Sequence, residues 1–539
     1  MRKDLITKIL LILILILALG LRVYKLDSVP PSISWDEGAV GFNAWAIANY
    51  GMDEYGKFFP LYFRSFGEGK NPVGIYITSI FVKLLGLNEI STRLPAAVFG
   101  VLNVFLIFYL TKILFPQERT GSFGKEQVAL LASLFLAISP YNIHFSRFNH
   151  EANIALFFFM LGIFLFLKSI KNHEILLPIA ILSFITSLLS YNPPKLIIPV
   201  MLLVLLILYA NRLSKNKLNV FISFVILSLF ILFILTSREI LGIERIKQTA
   251  VSSEQFEKTQ LFKITGNRFL GRLELTAIQY SWHFTPQYLF IQGDKNPKLS
   301  SQTGEFYSID TIFLIIGLLY LIYLRQREGM VLLGWALLAP LPSSLVSDAP
   351  HAGRSMFMMG SWHIISALGL YYVINKVHGA IFRWGIVLVT LGILGYSLFN
   401  YLNYYYGEYV KRYAIEWQYG MKQIVEFVRQ NPEYSQVFMT DVRSQPYIFF
   451  LYYLKYPLPE YLNIVLYNNS ESRSYNSVAN FYKFYFGGWD TVESFPHPNV
   501  LYIVTPYQYD GLRHRAAFDV KQLIKYPNGI DAFYLVSSK

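Results

Sequence analysis

Residues Arg2 to Tyr24 read RKDLITKILLILILILALGLRVY, a short basic flank followed by an almost pure Leu/Ile run from Leu5 to Leu21. A run of this length and polarity suits a single helix crossing the hydrocarbon layer of a bilayer. A secretory leader has a similar layout, but the exit Gly20-Leu21-Arg22-Val23-Tyr24 offers no small-x-small cleavage site. The segment is therefore expected to be retained as a helix with a cytoplasmic N-terminus.

The rest of the chain repeats the theme. Of 539 residues, 54% are hydrophobic and 15% charged, a balance that excludes a disordered chain and an ordinary soluble globule. Cysteine is absent, which excludes a disulfide framework, a thiolate nucleophile and Cys-ligated zinc or iron-sulfur sites. A formal charge of +13 would suggest nucleic acid in a soluble protein. In a membrane protein the placement of Lys and Arg matters more than their sum, and no nucleic-acid partner is expected.

Ten further apolar runs follow. They lie at about Leu94–Phe115, Val128–Phe145, Ala152–Leu167, Ile175–Ser190, Leu196–Ala210, Val220–Thr236, Thr311–Leu324, Met330–Leu345, Met356–Ile374 and Trp384–Leu402. With the first, that predicts about eleven spans, and the positive-inside rule supports the parity. The cations Arg2/Lys3/Lys8, Lys112/Arg119/Lys125, Lys168/Lys171, Arg212/Lys215/Lys217, Arg325/Arg327 and Lys376/Arg383 fall in alternate loops. One more apolar stretch, Val73–Leu87, would break the alternation and contains Lys83, so it is placed outside as a juxtamembrane helix. The fold class is thus mainly α: a polytopic membrane helix bundle with outer juxtamembrane helices. The expected division is a transmembrane domain over residues 1–402 and a small extracytoplasmic α/β domain over 403–539. In the latter, strand-like runs (Gln436–Thr440, Val500–Thr505, Ala532–Val536) alternate with helical ones (Trp417–Arg429, Gln445–Leu454). The expected location is the plasma (inner) membrane.

Ionisable groups are costly at a membrane, and here they gather on the outer side. The first outer loop holds Trp35-Asp36-Glu37-Gly38, Asp53, Glu54, Arg64 and Gly67-Glu68-Gly69-Lys70-Asn71-Pro72. Later outer turns read Ser146-Arg147-Phe148-Asn149-His150-Glu151, Tyr191-Asn192-Pro193-Pro194-Lys195 and Ser347-Asp348-Ala349-Pro350-His351-Ala352-Gly353-Arg354. Each has an ordinary explanation: acids at a helix N-terminus complement its dipole, and lone interfacial cations snorkel toward headgroups. His150, His351 and Glu151 are a weak candidate metal site, since they are far apart in sequence and no His pair stands at i, i+4; no cofactor is indicated, with a divalent metal as the alternative. Asn468-Asn469-Ser470 matches a glycosylation sequon, a triplet that also arises by chance.

The order of these groups resembles the polyprenyl-phosphate-dependent membrane glycosyltransferases of the C-type fold, in the branch of protein O-mannosyltransferases and lipid A aminoarabinose transferases. The resemblance rests on the Asp-Glu pair after the first span, Lys70-Asn71-Pro72, Gly86-Leu87-Asn88-Glu89 leading to Arg93-Leu94-Pro95, and Ser146-Arg147 with an acid beyond. It continues with Trp282-His283-Phe284-Thr285-Pro286, Phe290-Ile291-Gln292-Gly293-Asp294 and Pro350-His351-Ala352-Gly353-Arg354. It implies Asp36 as catalytic base, Lys70 as donor-phosphate lysine, and Glu151 as the acid after the second outer turn; Glu37 stands beside Asp36 as a further catalytic candidate. Arg147, Lys195 and Arg354 are candidate phosphate cations, and His150, Tyr191 and His351 candidate substrate contacts. Here Asn71 separates the lysine from Pro72, and Glu151 replaces the more usual Asp.

The residue types suit the chemistry the resemblance implies. A polyprenyl phosphate departs as a stable anion and needs positive charge, whereas an acceptor hydroxyl must lose a proton, which Asp36 in a partly desolvated loop is expected to take. Direct displacement inverts the anomeric centre. The expected partners are a polyprenyl-phosphate sugar donor, membrane lipids and a glycan, lipid or protein acceptor. A lipid or sugar transporter without transferase chemistry is the alternative; paired half-repeats are absent, and the polar groups lie at loop ends instead of mid-span.

Overall fold

The computed structural model describes residues 2–66, 68–115, 124–171, 173–213, 217–242, 249–468, 476–488 and 496–539. Gly67, Arg119, Lys215 and the Asn469-Ser470 part of the sequon lie outside the described residues.

The eleven apolar runs fold largely as helix, although Met330–Leu345 breaks after Leu338 and Met356–Ile374 has non-helical backbone at Met359 and Gly360. The helices are Arg2–Val23, Glu89–Leu114, Lys125–Ile138, Ala152–Ser169, Leu176–Ser190, Pro194–Leu213, Lys217–Thr236, Asp310–Leu324, Arg327–Leu338, Met358–Lys376 and Ala380–Tyr406. The run expected over Val128–Phe145 breaks at Ser139 and restarts as a separate turn, Pro140–Phe145, because proline lacks the amide that would continue the first helix but fits the first position of a new one. Among the described residues seven helices are long and apolar enough to cross a membrane, Asp4–Val23 and Lys217–Thr236 among them. Glu126–Ile138, Leu176–Ser190 and Asp310–Leu324 are apolar but shorter. Pro72–Leu85, the expected juxtamembrane helix, is likewise a short apolar helix, with proline at its first turn.

By packing, the chain falls into two compact units. The first comprises Met1–Tyr24 with Ala96–Asn403, and the second Lys25–Pro95 with Tyr404–Lys539. The linear division at residue 402 therefore leaves out a grouping made by contact, in which the first outer loop folds together with the tail.

Close helix approach marks the first unit. A Cβ on Gly317 would run into the Ile365 carbonyl oxygen, and one on Gly369 into that of Phe313. The helices Asp310–Leu324 and Met358–Lys376 thus touch backbone to backbone, the packing that small residues permit between membrane helices.

The second unit is built on a seven-stranded mixed sheet. Its strands are β3 (Gln436–Thr440), β4 (Leu466–Tyr467), β5 (Val478–Phe481), β6 (Phe484–Gly487), β7 (Val500–Val504), β8 (Phe518–Lys525) and β9 (Asp531–Ser538), in the order β4-β5-β6-β3-β7-β9-β8. A separate hairpin in the first outer loop pairs β1 (Phe63–Ser65) with β2 (Glu68–Lys70). β3 runs parallel to β6 and β7, and the other pairs are antiparallel. The helix Met421–Gln430 buries Met421, Ile424, Val425 and Val428, spaced as one helical face. Those residues share a core with Ile33, Phe42 and Ile47 of the first outer loop and with Met439, Phe450 and Ile503 of the tail. Apolar burial on both sides of this core explains why the two segments form one unit.

Candidate active site

In the second unit the motif Trp35-Asp36-Glu37 opens the helix Trp35–Tyr50. Ser34 caps it: the serine hydroxyl accepts from the Glu37 amide, and the Glu37 carboxylate accepts from the Ser34 amide. Neighbouring residues on a helix point about 100° apart, so the two acids face different surroundings. Asp36 looks outward, its side chain half exposed, and its Oδ1 accepts from Lys70 Nζ at 2.6 Å. Lys70 ends β2 opposite Phe63, which is fully buried and anchors the hairpin. Its ammonium also lies 5.9 Å from the Phe66 ring centroid. The carboxylate thus stands in the first turn of a helix, not on the loop expected from sequence, and its side chain is half exposed.

Glu37 faces inward and is fully buried. Arg93 Nε donates to its Oε1 at 2.9 Å and an Arg93 terminal nitrogen to its Oε2 at 3.1 Å. The same guanidinium donates to the backbone carbonyls of Leu26, Pro30 and Ser32. With both oxygens held by Arg93 and Ser34, Glu37 belongs to the frame under Asp36 and not to the exposed pair.

A second buried acid sits nearby in sequence. Glu54 accepts from Asn43 Nδ2 at 2.8 Å and from the Tyr447 hydroxyl at 3.2 Å, and its amide donates to Asn43 Oδ1 at 2.9 Å. Burial pushes its carboxyl up to about 7. The folded state therefore favours the protonated form, so stability should be highest in mild acid and decline as pH rises from the ordinary carboxyl range through about 7. Glu54→Gln is expected to remove a few kcal/mol of that pH dependence, read as a flatter midpoint-versus-pH curve in thermal unfolding. A mutant curve as steep as that of the parent would contradict the assignment.

In the first unit three separate sequence motifs converge. Asp294 Oδ2 accepts from the Ala352 amide at 2.6 Å, and its own amide donates to Glu305 Oε1 at 3.3 Å. Burial raises the Asp294 carboxyl to about 6. His283 Nε2 bonds to Ser343 Oγ at 2.7 Å, and the same oxygen accepts from the His351 amide at 2.8 Å. The turn Ala349–Arg354 is thereby fixed from two sides. His351 Nδ1 accepts from the Arg354 amide at 3.2 Å, and Arg354 pairs with Asp348 at 3.1 Å. A Cβ on Gly353 would lie 3.1 Å from the His351 ring, 3.3 Å from His150 Nε2 and 3.4 Å from the Tyr191 hydroxyl. His150, Tyr191 and His351 therefore surround Gly353, with the His150 and Tyr191 rings edge to face at 5.3 Å.

Arg147 is fully buried and donates to the carbonyls of Leu21, Arg22 and Tyr24, at the C-terminal end of the first helix, where a cation complements the dipole. That burial removes it from the lipid headgroups. Lys195 Nζ donates to Asn192 Oδ1 at 2.6 Å and to the Ile240 carbonyl. Glu151 precedes the helix Ala152–Ser169, is partly exposed and makes no side-chain cap. Arg93, Glu54, Asp294 and Asp348 had no expected site role, although Arg93 and Asp294 stand in motifs that carry the resemblance. Among the described residues no group of three or more His, Asp or Glu side chains is arranged to hold a metal ion.

The profile of the dolichyl-phosphate-mannose-protein mannosyltransferase family matches residues 69–235, a stretch that contains Lys70, Arg147, Glu151, Tyr191 and Lys195 but not Asp36 or Arg354. Two Bacillus subtilis (strain 168) proteins that bear mannosyltransferase names are similar over part of the chain. YycA is 26% identical over 207 residues, which is 38% of this chain and 28% of that protein. YkcB is 28% identical over 216 residues, 39% of this chain and 27% of that protein. The matched stretch thus spans little more than a quarter of either relative. Among solved structures, ArnT of Cupriavidus metallidurans bound to undecaprenyl phosphate superposes over 97% of both chains, with a TM-score of 0.55 at 14% identity. The oligosaccharyltransferase of Archaeoglobus fulgidus tethered with an acceptor peptide containing the NVT sequon has a TM-score of 0.54 at 14% identity, over 98% of this chain and 74% of that one. The chain is a multi-pass membrane protein with the C-type glycosyltransferase fold.

Proposed function

We propose that the protein is an inverting glycosyltransferase that moves a sugar from a polyprenyl-phosphate donor to an acceptor hydroxyl on the extracytoplasmic face of the plasma (inner) membrane. The observation that carries this reading is the ion pair between Lys70 and a half-exposed Asp36 at 2.6 Å. An ammonium beside a solvent-reaching carboxylate supplies both things the reaction needs. A donor phosphate competes for Lys70 and frees Asp36, which then takes the acceptor proton as the oxygen attacks the anomeric carbon. The bond from that carbon to the phosphate oxygen breaks, and the phosphate leaves as an anion on Lys70. His150, Tyr191, His351 and Arg354 are assigned to substrate contact, and Glu151 remains a second candidate acid. Glu37, Arg147 and Lys195 are assigned to the frame. The alternate loops rich in Lys and Arg support a cytoplasmic N-terminus and an extracytoplasmic tail.

The test uses the purified full chain in detergent, labelled polyprenyl-phosphate mannose and an envelope fraction as acceptor source. Mannose is the first sugar to try because the family profile and both relatives carry its name. Transfer of label supports the enzyme; binding without transfer of mannose or any other lipid-linked sugar favours a transporter. Lys70→Ala is expected to raise the donor KM by roughly 10- to 100-fold, the loss of a charge-assisted phosphate contact of about 1.5–3 kcal/mol. An unchanged KM would remove Lys70 from the donor site.

A further inference from the structure

The helix that carries Asp36 is held by residues from the far end of the chain. Its first amide, Trp35 N, donates to Gln418 Oε1 at 3.0 Å. Gln418 is buried, has a left-handed φ of 49°, and its side-chain nitrogen donates to the Glu416 carbonyl at 3.2 Å, which fixes the direction of its oxygen. Farther along, the helix rests on Tyr447–Leu454. A Cβ on Gly38 would touch Ile448 at 3.6 Å, and one on Gly41 would collide with the Tyr452 ring at 2.5 Å. The Tyr452 hydroxyl reaches Thr92 Oγ1 at 2.7 Å.

We infer that the tail from Tyr404 onward is a positioning element for the reaction, with Gln418 as the residue that fixes the first turn bearing Asp36. The inference rests on the reading of Asp36 as base. The first amides of a helix have no intrahelical acceptor, so each needs an outside one or is left loose. Ser34 serves the Glu37 amide and Gln418 serves that of Trp35, so the turn between them is pinned at both ends. Gln418 is a positioning residue, acting on the proton transfer only through the placement of the Asp36 carboxylate beside Lys70.

The test compares Gln418→Leu, which removes the acceptor, with Gln418→Glu, which keeps an acceptor oxygen and adds a negative charge to the same turn. Full-length protein in detergent is followed by hydrogen exchange of the Trp35 amide, and by kcat and KM with polyprenyl-phosphate mannose. Gln418→Leu is expected to speed exchange about fivefold and to lower kcat about tenfold or more with donor KM unchanged. Gln418→Glu keeps an acceptor for the Trp35 amide but loses the donor to the Glu416 carbonyl, so it is expected to restore protection and kcat in part, and to move the acid limb of the pH profile upward because a nearby anion disfavours ionised Asp36. Unchanged exchange in Gln418→Leu overturns the inference, whatever happens to kcat. Faster exchange with unchanged kcat also overturns it, because the placement of this turn would then not limit transfer. If Gln418→Leu does not fold, Gln418→Glu decides alone, since its acid limb moves only if its carboxylate sits at this turn. Failure of the underlying reading shows differently: Asp36→Asn would keep activity while Gln418→Leu still loosened the Trp35 amide.

Discussion

Asp36→Asn is expected to lower sugar transfer by a factor on the order of 10²–10⁴, the usual contribution of a positioned general base. The substitution keeps the shape of the side chain and an oxygen that still accepts from Lys70 Nζ, now 2.6 Å from Oδ1. Because Asp36 is half exposed and outside the buried frame, the variant should fold, unfold at the parental midpoint and still bind donor through Lys70. Single-turnover transfer with the purified variant checks this, with thermal unfolding as the control. Full activity in a folded Asp36→Asn protein would exclude the base assignment.

The second large effect concerns stability. Arg93→Met removes one partner of an ion pair in which neither side chain reaches solvent. It leaves the buried Glu37 carboxyl without its cationic partner and deprives the Leu26, Pro30 and Ser32 carbonyls of a donor. Breaking a buried pair in this way costs about 3–5 kcal/mol. The expected result is a sharply lowered unfolding midpoint or loss of folded protein. Pairing the change with Glu37→Gln should recover part of the loss, since a neutral amide is less costly to bury. A parental midpoint in Arg93→Met would contradict the structural role given to the pair. The adjacent acids Asp36 and Glu37 are thus expected to fail in different ways when changed, one in chemistry and the other in folding.

How much of this was legible in the sequence follows from the range of the interactions involved. The helices were readable because their aliphatic runs are long, and the break at Ser139-Pro140 follows from local proline chemistry. In the tail, β3, β7 and β9 stood out as apolar runs. β4 has two exposed residues, and β5 and β6 are four-residue pieces paired with each other, too short to show a period. The packing of the first outer loop on the tail had no local signal, since Ile33 and Phe42 share a core with Phe450 and Met439 only through folding.

At the site, the Asp36–Lys70 pair was reachable through the order of motifs that carries the resemblance. Spacing alone did not separate Asp36 from Glu37, because the difference lies in which side of the helix the core occupies. Arg147 and Arg354 looked alike in sequence, each an arginine at an outer helix end. Burial against the carbonyls of Leu21, Arg22 and Tyr24 distinguishes the first from the second, which pairs with an exposed Asp348. The motifs around His283, Asp294 and His351 were each weak alone; their meaning appears when Ser343 and Ala352 join them.

A chain that consumes a polyprenyl-phosphate sugar at Asp36 and Lys70, as proposed, leaves a direct trace in cells. The most direct measurement is mass analysis of polyprenyl-phosphate sugars and surface glycans in cells with the protein, without it, and with Asp36→Asn in its place. One lipid-linked sugar is expected to accumulate in both the deletion and the Asp36→Asn cells while the matching surface sugar disappears. Identical lipid-linked sugars and glycans in all three strains would contradict the proposal.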